Sequence, residues 1–143
     1  MTLEPFEALI GTWETEATHP LFDQVVPGRV TFAWLKDRAF VVERSSNEHP
    51  KFPDAITVIG PPEHGDGIVA EYFDQRGVRR TYGIAIEDGV LRQWRDDPAF
   101  AQRAEAPLHP DEFVLLWQLA ETPGDWHDDL RVVYRRARLA DER

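Results

Sequence analysis

The side chains of this sequence that could do chemistry in a buried site are arginines and a tyrosine that lie within stripes of alternating apolar residues. Every second residue from Phe40 to Ser46, and again from Val78 to Ile84, would lie on one face of a β-strand. If the apolar members of these stripes face inward, Arg44, Arg80 and Tyr82 face inward with them. A buried guanidinium needs an anionic partner. Each arginine therefore predicts an internal ion pair, a position at a solvent-filled mouth, or the carboxylate or phosphate of a ligand.

Two of the five histidines are candidates for the same site. His19 continues the alternating stripe that begins at Trp13, and His127 stands where the last strand-like run begins. A histidine near its ordinary pKa can accept or donate a proton at neutral pH, so both are candidates for acid–base chemistry. The other three lie beside prolines or in a Pro-rich segment and are expected in exposed loops: His49, His64 and His109.

Established catalytic motifs do not occur in the sequence. There is no Gly-x-Ser-x-Gly elbow, no phosphate-binding Walker loop and no His-Glu-x-x-His helix. With no cysteine, the chain has neither a thiolate site nor a disulfide framework. The acidic pairs Asp96-Asp97 and Asp128-Asp129 would place neighbouring carboxylates on opposite faces of a strand, which does not favour paired catalysis. No metal site is expected.

Composition and charge narrow the class of partner. The chain has 143 residues and a net charge of −10, which opposes binding to nucleic acids and to anionic lipid. No apolar run approaches the roughly 20 residues of a membrane-spanning helix, and the start of the chain does not resemble a signal peptide. We expect one domain over residues 1–143, a cytoplasmic protein and a small-molecule ligand. The sequence leaves open whether it forms a homodimer.

The elements that must position these side chains are nearly all strands. Only residues 3–10 look helical, and the rest of the chain alternates in short runs separated by turn signals such as Glu87-Asp88-Gly89. About ten strands are predicted, over residues 13–19, 29–34, 39–46, 56–60, 68–74, 78–86, 90–95, 100–105, 112–119 and 128–136. This pattern predicts an all-β sandwich or barrel.

The start of the chain and the mixed stripes favour a barrel with a cavity. A short apolar helix that runs into Gly11-Thr12-Trp13 is suited to plug one end of an antiparallel barrel, with the indole packed beneath the helix. The stripes also mix aromatic and polar side chains, as the lining of a ligand cavity does. The predicted aromatic walls are Trp34, Phe40, Tyr82, Trp94 and Trp117.

The opening residues 5–14, from Pro5 to Glu14, resemble those of the nitrobindin-like, haem-binding β-barrel proteins, which belong with the lipocalins and fatty-acid-binding proteins among the calycins. The final run, Leu130 to Arg136, is similar as well. The resemblance implies a ten-stranded antiparallel barrel with a short N-terminal plug helix. It also implies a haem whose iron-ligating histidine stands at the start of the last strand. This sequence has Asp129 at that position, and His127 lies two residues earlier, so we expect no cofactor, with haem as the alternative.

Three functions follow from these observations. The first is binding of a small hydrophobic or amphipathic molecule inside the barrel, with Arg44 or Arg80 holding an acidic head group. The second is a nitrobindin-type haem protein that acts on nitrogen oxides. The third is a cofactor-free enzyme whose acid–base groups are His19, Arg80, Tyr82 and His127.

Overall fold

The alternating runs form ten β-strands in the computed structural model, which describes residues 2–138. The N-terminal helix, Glu4–Leu9, is a 3₁₀ helix two residues shorter than predicted, and a 3₁₀ segment, Lys36–Arg38, lies between the second and third strands. The strands are β1 Gly11–His19, β2 Phe22–Trp34, β3 Val41–Asn47, β4 Ala55–Gly60, β5 Val69–Asp74, β6 Arg79–Glu87, β7 Val90–Arg95, β8 Ala101–Pro107, β9 Glu112–Ala120 and β10 His127–Arg136.

The ten strands close into a barrel. Each strand pairs antiparallel with the next in sequence, and β10 pairs with β1, so that the sheet has no free edge. The β6–β7 turn has positive φ at Asp88 (53°) and Gly89 (75°), which is the type I′ geometry that Asp-Gly favours. The prediction of an all-β antiparallel barrel is confirmed. Among residues 2–138, no helix is long and apolar enough to cross a membrane.

The N-terminal helix closes one end of the barrel. Phe6 and Leu9 are buried on its inner face, and Trp13 beneath it has no exposed surface. The indole Nε1–H of Trp13 donates a hydrogen bond to the Leu9 carbonyl at 2.9 Å, which satisfies the one polar group of this buried ring. The edge of the indole meets the ring of Phe113, with the centroids 4.9 Å apart. The predicted plug is therefore present.

Arg136, the last residue of β10, ties the plug to the barrel wall. Its guanidinium donates to the carbonyls of Ile10 (2.8 Å), Ala8 (3.1 Å) and Pro110 (2.8 Å). It also lies over the indole of Trp13, 4.1 Å from the ring centroid. Gly11 has a φ of +127°, and a Cβ at this position would stand 2.7 Å from Arg136 Nη1. Glycine is thus required here both for its backbone conformation and for the space that the arginine fills.

The phase of β3 differs from the prediction. Val41 is fully buried and Glu43 lines the interior, whereas Arg44 is exposed on the outer surface. The predicted inward stripe from Phe40 to Ser46 is therefore wrong by one residue. Apolar residues occupy both of the positions 41 and 42, so alternation alone allows either phase, and the pairing of Trp34 with Val41 across β2 and β3 selects the observed one.

Candidate functional site

The barrel encloses a cavity of about 480 Å³, which is within the size range of small-molecule sites. The plug closes one end, and the residues at the other end include exposed side chains such as Lys51 and Arg76, so the cavity opens there. We call this open end the mouth. The walls are mostly apolar and come from strands around the whole barrel, among them Val30, Phe32, Ile84, Leu115, Leu119 and Val132.

Arg80 stands at the mouth, one residue after the start of β6, and its side chain lines the cavity. The guanidinium lies over the ring of Phe100, 5.1 Å from its centroid. Although Arg80 is partly buried, it forms no ion pair or hydrogen bond with any of the described residues. Arg80 therefore does not form the internal ion pair that the sequence analysis gave as one alternative.

An aromatic wall follows Arg80 into the cavity. The rings of Tyr72, Tyr82 and Trp117 meet edge to face, with centroids 6.4 and 5.6 Å apart for the successive pairs. The Tyr82 hydroxyl donates to Gln102 Oε1 at 2.9 Å. Tyr82 and Trp117 face the interior, as predicted, because neither β6 nor β9 contains a bulge that would shift the direction of its side chains.

The Tyr72 hydroxyl is also held, since it donates to Asp74 Oδ2 at 2.7 Å. Burial, together with the neighbouring carboxylate of Asp74, raises the pKa of Tyr72. Hydrogen bonds from Arg76 are the main cause that holds the pKa of Asp74 well below its ordinary value. Asp74 therefore stays ionised and Tyr72 stays protonated through the neutral range.

His19 lies at the mouth as predicted, and both of its ring nitrogens are in use. The backbone N–H of Leu21 donates to Nδ1 (3.1 Å), so Nδ1 carries the lone pair and the proton is on Nε2. That Nε2–H donates to Asp129 Oδ1 at 2.8 Å. Asp129 reaches the cavity because β10 has a bulge, in which the pairing with β9 shifts between Asp128 and Arg131.

The buried end of the cavity carries two polar groups that the sequence analysis missed as site residues, Glu43 and Tyr134. Neither the Glu43 carboxyl nor the Tyr134 hydroxyl has a hydrogen-bond partner among residues 2–138. Burial raises the pKa of Glu43 to about 7. Burial and the nearby charge of Glu43 raise the pKa of Tyr134. The alternation of Val132 and Tyr134 on β10 could have identified the tyrosine, whereas no local signal identifies Glu43.

Five predicted site residues lie outside the cavity lining. Arg44 faces solvent, because the phase of β3 is shifted. Phe40 packs over Gly60, where a Cβ would come within 2.3 Å of the phenyl ring. Trp34 belongs to the plug, and its Nε1 donates to Glu7 Oε2 at 2.6 Å.

The other two are Trp94 and His127. Trp94 covers Gly83 on the outside of the barrel, because it alternates with the inward-facing Gln93. His127 is exposed, and its Nε2 stands 3.2 Å from Asp125 Oδ2. It pairs with Leu119 at the first position of β10 and is not among the residues that line the cavity.

A larger hollow of about 930 Å³ lies across the outer face of β7 to β10, where Trp94 and Leu116 are exposed. Most of its charged side chains are paired within the protein, whereas the side chain of Arg131 is exposed to solvent and has no partner among residues 2–138. Arg92 pairs with Glu105 at 3.4 Å, and Arg103 binds Gln118 and lies over the ring of Trp126. The enclosed cavity, with its unpartnered polar groups, is therefore the better candidate site.

Comparison with known proteins identifies the fold. No family model matches the chain, and no curated protein matches it in sequence. Among solved structures, the Rv2717c protein of M. tuberculosis superposes with a TM-score of 0.67 at 13% identity, over 95% of this chain and 97% of that one. Fatty-acid-binding protein 1 of Echinococcus granulosus gives 0.63 at 16% identity, over 92% and 99%. The S-type phycobiliprotein lyase CPES of Guillardia theta gives 0.56 at 12% identity, over 96% and 94%. The protein therefore has a calycin-like barrel fold, as its opening residues predict.

The cavity does not fit a haem held by histidine. Of the residues that line it, His19 is the one histidine, and neither of its ring nitrogens is free to bind iron. His127, the ligand that the nitrobindin resemblance left available, is exposed and paired with Asp125. Asp129, which occupies the position of the family's ligand, accepts a hydrogen bond from His19. An axial histidine in a dry pocket is therefore missing from the described residues.

Proposed function

We propose that this protein binds a small amphipathic molecule, with the apolar part inside the barrel and an acidic head group at Arg80. The observation that carries the proposal is the guanidinium of Arg80, partly buried at the mouth of an apolar cavity and without an acidic partner among residues 2–138. Charged groups in such positions are normally paired. A ligand carboxylate or phosphate supplies the missing partner.

The names of the structural neighbours support ligand binding in this kind of barrel. One of them is described as a fatty-acid-binding protein and another as a phycobiliprotein lyase. At 12–16% identity they share the fold with this chain, and the ligand has to be argued from the cavity itself.

The apolar contacts would supply most of the affinity and Arg80 the orientation. Burial of each methylene contributes about 0.8 kcal/mol, so a chain of about eight methylenes gains roughly 6 kcal/mol before the entropy cost of binding. A partly exposed arginine–carboxylate pair adds about 1 kcal/mol or less. We therefore expect micromolar to millimolar affinity and a modest preference for acids over neutral analogues.

The test compares decanoate with 1-decanol by displacement of the fluorescent probe 1-anilinonaphthalene-8-sulfonate. We expect wild-type protein to bind decanoate about fivefold more tightly, and Arg80→Met to lose this preference while it still binds decanol. Arg44→Met is the matched control, because it removes an arginine from the outer surface. If the probe does not bind, or if the two arginine variants behave alike, the proposal is wrong.

A further inference from the structure

The buried end of the cavity carries an acid whose partner is missing. Glu43 projects inward between its cross-strand neighbours Phe32 on β2 and Thr57 on β4. The barrel encloses it, and the surface that its side chain retains faces the cavity. Its direct cross-strand neighbours do not titrate. Of the titratable groups that line the cavity from other strands, Tyr134 on β10 lies close enough for the charge of Glu43 to raise its pKa, and Tyr72 on β5 lies beyond Thr57. A carboxyl group that serves only packing would be costly in this position, since burial disfavours its charged form.

The second polar group at this end, the Tyr134 hydroxyl, is held by rigid packing of its ring. The ring stacks on Phe113, with centroids 4.4 Å apart, and meets the edge of Trp13 at 6.3 Å. Both neighbours are buried in the same hydrophobic core as Phe6 and Leu9 of the N-terminal helix. The hydroxyl therefore has a defined position beside the cavity, and no described residue takes up its hydrogen bond.

From this geometry we propose that Glu43 and Tyr134 form a subsite for the protonated amine of a ligand. The carboxylate of Glu43 pairs with the ammonium group, and the Tyr134 oxygen accepts one of its remaining N–H bonds. The proposal deepens the function proposed above and rests on it, since the ligand has to enter the barrel. A ligand carboxylate is excluded from this end, because it would meet Glu43, so an acidic group would lie at the mouth with Arg80.

An ammonium group is favoured over a neutral hydroxyl because it changes the charge state of Glu43. With a pKa of about 7, roughly nine tenths of Glu43 is neutral in the free protein at pH 6. When R–NH₃⁺ binds, Glu43 ionises to form the ion pair, and the carboxyl proton leaves for the buffer. Close to one proton is therefore released per amine bound at pH 6. A neutral alcohol leaves the carboxyl protonated and releases none.

The test is a calorimetric titration of the wild-type protein with 1-octylamine and with 1-octanol at pH 6, in two buffers of different protonation enthalpy. We expect the amine to bind at least about tenfold more tightly than the alcohol and to release about 0.9 proton. Equal affinities, or amine binding without proton release, would overturn the subsite. These measurements need no variant and so do not depend on the folding of one.

Variants then assign the effect to its residues. Glu43→Gln should abolish both the amine preference and the proton release, whereas Glu121→Gln, which removes one exposed carboxylate from the β9–β10 connection, should keep both. Tyr134→Phe keeps the ring packing and should weaken amine binding about threefold to tenfold. If Glu43→Gln and Glu121→Gln lose the preference equally, the net acidity of the protein is responsible and the subsite is wrong. If the sulfonate probe and decanoate bind while the amine shows no preference, the subsite fails but the binding function stands.

Discussion

Two residues of opposite charge differentiate the ends of the cavity. Arg80 lies at the mouth, where its guanidinium contacts the ring of Phe100. Glu43 lies at the plugged end, between Phe32 and Thr57 on the adjacent strands. Neither has a charged partner among residues 2–138. Glu43 is placed at a cost to folding, because burial of an unpaired carboxyl group disfavours its charged form. The lack of a protein partner makes each residue available to a ligand of the opposite charge.

Glu43 should make the protein less stable as the pH rises through the interval from about 4.5 to about 7. Its pKa is raised from 4.5 to about 7 in the folded state, so the folded protein binds the proton more tightly than the unfolded chain does. The stabilising contribution is complete below pH 4.5 and is lost as the pH rises to 7. One pKa unit corresponds to about 1.4 kcal/mol, which sets an upper limit of about 3 kcal/mol.

Urea denaturation of wild type and Glu43→Gln at pH 5 and pH 8 measures this effect. We expect the free energy of unfolding of Glu43→Gln to exceed that of wild type at pH 8 by up to about 3 kcal/mol, and the two to converge toward pH 5. The exposed Glu121→Gln variant should follow wild type at both pH values. A difference between Glu43→Gln and wild type that does not change with pH would contradict the buried position of this acid.

At the scale of elements, the barrel depends on how the N-terminal helix is fastened to β10. A six-residue 3₁₀ helix has little stability of its own. It is held by the burial of Phe6 and Leu9, by the indole of Trp13 and by the three carbonyl contacts of Arg136. Arg136 is thus a structural residue.

Arg136→Met should lower the free energy of unfolding by about 2–4 kcal/mol, because three hydrogen bonds to carbonyls and the contact with the indole are lost together. Arg135→Met is the matched control. The neighbouring arginine lies on the outer surface and pairs with Glu16 and Glu112, so its loss should cost less than about 1 kcal/mol. Chemical denaturation of the two variants provides the comparison, and similar losses in both would show that the plug does not depend on Arg136.

At the scale of the whole molecule, the closed sheet leaves room inside that the side chains do not fill. The plug seals one end, and the interior layers above it contain small or polar residues at several inward positions, such as Ala17, Ser45 and Ala55. A barrel built only for packing would carry larger apolar residues there. The retained volume of about 480 Å³ is the feature that links the architecture to binding.

Ala17→Phe should fill part of this volume and block binding without unfolding the barrel. Ala17 faces inward on β1 opposite Val132, so the added ring would project into the cavity. We expect the affinity for the sulfonate probe to fall at least about tenfold and the melting temperature to stay within a few degrees of wild type. Ala33→Phe, which adds the same ring on the outer face of β2, should leave binding unchanged. Unchanged probe binding in Ala17→Phe would place the probe outside the barrel.

Part of the candidate site could also be predicted from the sequence, because side chains alternate between the two faces of a β-strand. Arg80 and Tyr82 share the parity of Ile84 on β6, and Trp117 shares that of Phe113 and Leu115 on β9. Neither strand contains a bulge, so spacing from these bulky apolar residues places all three side chains inside. On β3 the pair Val41-Val42 is apolar on both faces, which conceals the phase of the strand and with it Glu43. On β10 the bulge turns Asp129 inward. None of the residue types in Asp128-Asp129-Leu130 predicts a bulge at this position.

The sequence by itself determined the all-β barrel, its ten strands and its plug, because period-two alternation, turn residues and the Gly-Thr-Trp start are local properties of the chain. Only the tertiary structure decided which polar groups meet in the cavity. Glu43 and Tyr134 lie 91 positions apart in the chain, and His19 and Asp129 lie 110 apart, so neither pair has a local signal. Their meeting depends on the pairing of each strand with its neighbours and on the closure of β10 onto β1. Register across paired strands is a cooperative property of the closed sheet, and it determines the chemical character of the site.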